Sequence, residues 1–149
     1  MSLTDTTDPK QTSAISFELE LRHPPEKVWR ALTNPDSLAK WLLPIVESET
    51  RVETGARFTF QAQPQPGWDG TVKCRVIESE LLKRLSYGWV VGETLDTVVT
   101  FTLAATATGT KLSMVQSGFT PEQKQNFGGA RYGWKMMGGK LIELLETTS

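Results

Sequence analysis

One long stretch with helical period closes this chain, Pro121 to Glu146, and whatever the chain folds into must bury one side of it. Thr120 is a capping residue, Pro121 suits the first helical position, and Gln123 completes a capping box. Phe127, Trp134, Leu141 and Leu145 recur on one face, and Ala130, Met137 and Leu144 widen that stripe. Five glycines interrupt it: Gly128, Gly129, Gly133, Gly138 and Gly139. Each costs about 1 kcal/mol relative to Ala inside a helix. Two compatible readings account for them: tight packing on a sheet, or a helix that roofs an open space.

Upstream of this helix the period is mostly that of strands. Ile15, Phe17, Leu19 and Leu21 alternate with Ser16, Glu18 and Glu20 as a half-buried strand. His23-Pro24-Pro25 ends it and starts a short helix through about Thr33, with Val28, Trp29 and Leu32 as its apolar side. Asn34-Pro35 caps and opens a second short helix, with Leu38, Trp41 and Leu42 facing inward. Strand-like runs then follow. Val46 to Glu53 alternates weakly, with Glu47, Glu49 and Glu53 outward. Phe58 and Phe60 share a face, as do Val72, Cys74 and Val76; then Leu85, Tyr87 and Trp89; then Val99, Phe101 and Leu103; then Leu112, Met114 and Gln116. Gly55 and Gly109 mark turns, and Pro64 to Gly70 reads as a loop.

Close spacing of these runs favours an antiparallel, hairpin-connected sheet. The expected class is therefore α+β: a curved antiparallel sheet of about six to seven strands wrapped around the C-terminal helix, with two short helices after the first strand. Residues 1–13, rich in Thr, Asp and Ser, read as a flexible N-terminal tail, and residues 14–147 as a single domain.

The 149 residues carry 16 Lys and Arg against 17 Asp and Glu, a formal net charge of −1. No basic run points to nucleic acid, and no apolar run is long enough to insert in a membrane. The single cysteine, Cys74, excludes an intramolecular disulfide, which makes a reducing cytoplasm the natural expectation. With one His and one Cys, no metal or cofactor motif is present, and none is expected. Cys74 sits mid-strand, where a thiol is usually a small hydrophobe. His23 sits at a strand–helix junction without a positioned partner, so no catalytic residue is assigned.

Pro24 to Leu42 (PPEKVWRALTNPDSLAKWL) resembles the N-terminal signature of the activator of 90-kDa heat-shock protein ATPase homologue-like family, within the START and polyketide-cyclase-like helix-grip superfamily. Gly55 to Phe60 (GARFTF) is similar to the family's glycine-then-aromatic strand. Lys111 to Phe119 and Tyr132 to Glu146 are similar to its last strand and C-terminal helix. The resemblance covers nearly all of the chain after residue 13. It implies a helix-grip fold and a diverse set of tasks: binding apolar ligands, acting on polyketides, or assisting a chaperone. Family members often carry His where this chain has Gln116; an amide there donates and accepts but does not titrate.

The aromatic set carries the functional expectation. Alternation turns Phe58, Phe60, Tyr87, Trp89, Phe101 and Met114 inward, and Trp41, Phe127 and Trp134 face the same space from helices. An apolar pocket lined by them, with Gln116, Tyr87 and Arg131 orienting the occupant, would bind a small hydrophobic molecule. The alternative for each is an ordinary packed core. Arg131 either meets an anionic head group or reaches solvent past the helix edge, the usual fate of arginine. Trp68 either gates the mouth or caps the core edge. Rival expectations are a polyketide cyclase or hydrolase-like enzyme and a co-chaperone module with a chaperone partner. A homodimer through an exposed strand edge is a further expectation.

Overall fold

The computed structural model describes residues 2–48, 54–64, 66, 68–93 and 95–148. Among them lie eight strands: β1 (Ser2–Asp5), β2 (Ala14–Leu21), β3 (Ile45–Ser48), β4 (Arg57–Gln61), β5 (Thr71–Glu80), β6 (Arg84–Val91), β7 (Leu95–Thr106) and β8 (Gly109–Ser117). Three α-helices accompany them: α1 (Pro25–Thr33), α2 (Pro35–Trp41) and α3 (Lys124–Thr147). The strands form one antiparallel sheet in the order β1-β2-β8-β7-β6-β5-β4-β3. Consecutive strands from β3 to β8 are neighbours, as hairpins require. The single long-range closure is β2 on β8, from Ala14 opposite Ser117 to Leu21 opposite Thr110. Helices α1 and α2 carry the chain from β2 to the far edge at β3.

Sequence and element agree closely in most places. In β2, Ile15, Phe17, Leu19 and Leu21 are all buried, as their alternation requires. Asn34 caps α2, its Oδ1 accepting from the Asp36 and Ser37 amides at 2.8 and 3.4 Å. Pro35 has no N–H, so the Ala31 carbonyl at the end of α1 lacks its helical donor. The Trp41 indole fills that role, with Nε1–H donating to Ala31 O at 2.7 Å, and both residues are buried. Phase corrects one detail of α1: Val28, Ala31 and Leu32 form its buried face, and Trp29, one residue off that stripe, is only partly buried.

The long helix begins with a single 3-10 turn at Pro121–Gln123. There the Thr120 amide donates to Gln123 Oε1 at 2.9 Å. Phe127, Trp134, Leu141 and Leu145 are buried, with Gly138 beside them. Fully burying a large apolar side chain is worth about 1.5–3 kcal/mol, so this stripe is what holds α3 in its seat. At the far end Lys27 of α1 caps the helix: its Nζ donates to Leu145 O (2.7 Å) and Thr148 O (2.5 Å) and contacts His23 Nδ1 (3.1 Å). A cation at those carbonyls also complements the helix dipole.

Two expectations needed correction or fell elsewhere. The sheet has eight strands rather than six to seven, because β1 forms within the stretch read as a tail. Leu3 pairs with Leu19, and the Thr7 side chain extends the pairing: it is bonded to the Ser16 amide (3.0 Å) and carbonyl (3.2 Å). The strand expected over Val46 to Glu53 is β3, which ends at Ser48. Glu49 and Glu53 lie outside the described residues, as does the side chain of Glu47.

Candidate functional site

The inward faces of β4 to β8 and the stripe of α3 meet in one aromatic assembly. Trp134, midway along α3, packs against Trp89 (centroids 5.5 Å apart) and Phe101 (6.1 Å). Phe101 continues to Trp41 (6.3 Å, edge-on) and Tyr87 (6.1 Å). Tyr87 meets Phe58 (5.1 Å), Phe58 meets Phe60 (5.2 Å), and Phe60 returns to Trp89 (5.6 Å). Seven of the expected aromatic side chains are thus brought together in tilted or edge-on contacts, the geometry aromatic quadrupoles favour. Met114, also buried, lies on the same side.

Phe127 and Arg131 are placed elsewhere. Phe127 packs edge-on against Phe119 (5.3 Å) where the chain enters the helix, a partner the sequence reading did not single out. Arg131 lies at the helix edge. Its Nε donates to Asp5 Oδ2 at 2.6 Å, so it ends neither in the interior nor free in solvent. Tyr132 points outward and is well exposed. Trp68 is half-buried at the core edge, its indole donating to Thr71 O (2.9 Å) at the start of β5. Its loop closes at Gly70, where φ is +86° and an added Cβ would lie 2.3 Å from Ala62 O.

One buried polar chain crosses the interior. Trp134 Nε1–H donates to Gln116 Oε1 (2.7 Å), Gln116 Nε2 donates to Thr97 Oγ1 (2.9 Å), and Thr97 Oγ1 donates to Trp89 O (2.8 Å). An indole N–H can only donate and a backbone carbonyl only accept, so the two ends fix the direction of every bond between them. Gln116 and Thr97 are each 1% exposed, and the chain leaves neither wanting a partner. The sequence singled out Gln116 but gave no sign of Thr97, whose role depends on β7 lying beside β8, with Val99 opposite Gln116.

The titratable groups of the interior are held neutral. Burial, then the neighbouring Cys74, pushes the Tyr87 phenol well above its ordinary range. Burial alone pushes the Cys74 thiol upward as well, which leaves no thiolate to act as a nucleophile. Among the described residues no three His, Cys, Asp or Glu side chains converge as metal ligands would. No helix among them is long and apolar enough to cross a membrane.

Among the described residues, helix and sheet pack closely in the region around Trp134 and Met114. The void between them, bordered by Phe17, Trp41, Met114, Trp134 and Leu141 among others, has room for about 20 Å³. That is space for one water, and its apolar walls offer that water no partners.

The profile of the Activator of Hsp90 ATPase homolog 1-like protein family matches residues 22–146. The chain belongs to this family. Solved structures agree in fold. Protein MLL2253 from Mesorhizobium loti is 40% identical, with a TM-score of 0.81 over 91% of this chain and 98% of that one. CV1439 from Chromobacterium violaceum is 28% identical, with a TM-score of 0.71 over 91% and 99%. CalU16 from Micromonospora echinospora is 22% identical, with a TM-score of 0.73 over 98% and 85%, and is a likeness of fold alone. No curated protein sequence matches. The helix-grip architecture expected from the resemblance is therefore the fold of this chain.

Proposed function

We propose that this family member binds a small apolar or aromatic molecule between α3 and the sheet, and that at the tightly packed part of this interface binding displaces side chains. The observation that carries the reading is the composition of the interface: seven linked aromatic rings and a single satisfied polar chain. Apolar walls with a few fixed polar groups are the common character of small-molecule pockets. Catalysis is the weaker reading. A proton-transfer enzyme needs a group that titrates near its working pH, and the interior offers a neutral phenol, a neutral thiol and an amide. Binding instead needs only shape and apolar area, at about 25 cal/mol per Å² buried.

The cavity of about 20 Å³ beside Trp134 is far smaller than the about 300–1,000 Å³ that drug-sized ligands occupy. An occupant must displace side chains or part of the backbone. Titration of tryptophan fluorescence with a panel of aliphatic and aromatic compounds tests this. Saturable changes that disappear in Trp134→Leu support the interface as the site. A flat response to every compound, together with a bare mass in native mass spectrometry, overturns the reading.

A further inference from the structure

Strand β1 is held to the body of the protein along one face. Leu3 and Asp5 point to that face, two residues apart and so about 6–7 Å along the strand. Leu3 borders the void between helix and sheet and lies over Gly138 of α3. A Cβ added at Gly138 would lie 3.1 Å from Leu3 Cδ1 and 3.3 Å from Cδ2, so the helix is bare where the leucine crosses it. Asp5 meets Arg131, seven residues earlier on α3 and therefore on nearly the same face, at 2.6 Å. The strand thus lays an isobutyl group and a carboxylate along the open side of the cleft, each against its own partner on the helix.

We infer that β1 is a built-in occupant of an outer subsite, standing in for a small monocarboxylate amphiphile whose apolar part takes the place of Leu3 and whose carboxylate takes Arg131 from Asp5. The inference rests on the proposed apolar site and names its ligand class and its route. Every other wall of the void is a central strand or a helix buried along its stripe. By contrast β1 is a four-residue edge strand tied by an exposed ion pair, the kind of element that opens at low cost. The indole donors of Trp41 and Trp134 are already engaged with Ala31 O and Gln116. The Tyr87 hydroxyl, the other interior donor, is uncharged, so the anionic end stays at the mouth, where the Arg131 cation is.

Octanoate and 1-octanol, which differ only in the charged end, serve as probes on the full chain and on three variants. Octanoate is expected to bind and to speed amide hydrogen exchange at Leu3, Thr4 and Asp5. Leu3→Ala should tighten octanoate roughly tenfold and Asp5→Asn roughly threefold, by weakening the occupant. Arg131→Gln should weaken octanoate roughly fivefold relative to 1-octanol. Octanoate binding that is indifferent to all three substitutions, or that leaves exchange in β1 unchanged, overturns the inference while the apolar site stands. Absence of binding by either probe to any form overturns the site and this inference together. Should Leu3→Ala fail to fold, the exchange measurement on the unsubstituted protein decides by itself.

Discussion

The middle of α3 and its β1 edge are built to opposite rules. At the middle, Trp134 is buried among rings and bonded into a four-member polar chain. At the edge, Arg131 and Asp5 pair in partial exposure and Leu3 is only half-buried. An interior polar group that loses its partner costs far more than a surface ion pair contributes. The contrast teaches where a helix-grip domain can yield. The centre sets the position of α3, and the edge is where the cleft can open without losing that position.

The largest effect expected from breaking this contrast is at Gln116. Gln116→Leu leaves the Trp134 N–H buried and unpaired and should destabilise the protein by about 2–3 kcal/mol, read as a lower urea midpoint at unchanged slope. Removing the edge pair with Asp5→Asn should cost less than about 1 kcal/mol in the same assay. Comparable losses at both positions would erase the distinction. Gln116→His sharpens it. A neutral imidazole keeps one donor and one acceptor, but burial lowers its folded pKa below the ordinary 6.5 or so. The variant's stability should therefore be near wild type at pH 8 and fall as pH drops below that value, whereas the natural amide gives no such slope from this position.

Glycines of α3 provide a smaller, two-sided test. Gly129 and Gly139 have nothing within 4 Å of an added Cβ, so Gly129→Ala and Gly139→Ala should each stabilise by about 0.5–1 kcal/mol. Gly138→Ala meets Leu3 and should gain less or lose, with altered resonances in β1. The smallest effect is on pH dependence at the edge. Partial burial raises the Asp5 carboxyl, but hydrogen bonds from the Thr7 side chain and backbone, and then Arg131, outweigh it and hold the group below its usual range. A depressed carboxylate contributes stability above its unfolded value of about 3.9 and loses it as pH falls through the folded value. Docking of β1, followed by the Leu3 methyl shifts, should therefore persist from pH 7 to about 4 and weaken below it. Arg131→Gln should move that transition upward.

Much of this was legible in the chain itself. The stripe Phe127, Trp134, Leu141 and Leu145 needs only a period of 3.6, and the inward strand faces need only a period of 2. The glycines were half legible: their number drew notice, but only Gly138 has a close neighbour, and Gly128, Gly129 and Gly139 face open space. Strand β1 left no local mark, because Ser-Leu-Thr-Asp contains one apolar residue and is ordered by partners on β2 and α3. Thr97 was equally silent, since a threonine in a strand looks the same whether or not a glutamine on the neighbouring strand reaches it. Whether an aromatic-lined space is filled is a matter of volumes summed over distant elements, which alternation does not encode.

The most direct test of the interface as a binding site is a proton–nitrogen NMR titration with octanoate that follows the five tryptophan indoles and the β1 amides. Our account predicts saturable shifts at the Trp134 and Trp41 indoles, at Gly138 and at Leu3, with Trp68 in its loop little changed. Shifts confined to outward-facing residues, or no shifts at all, would contradict it and leave the aromatic assembly as core alone.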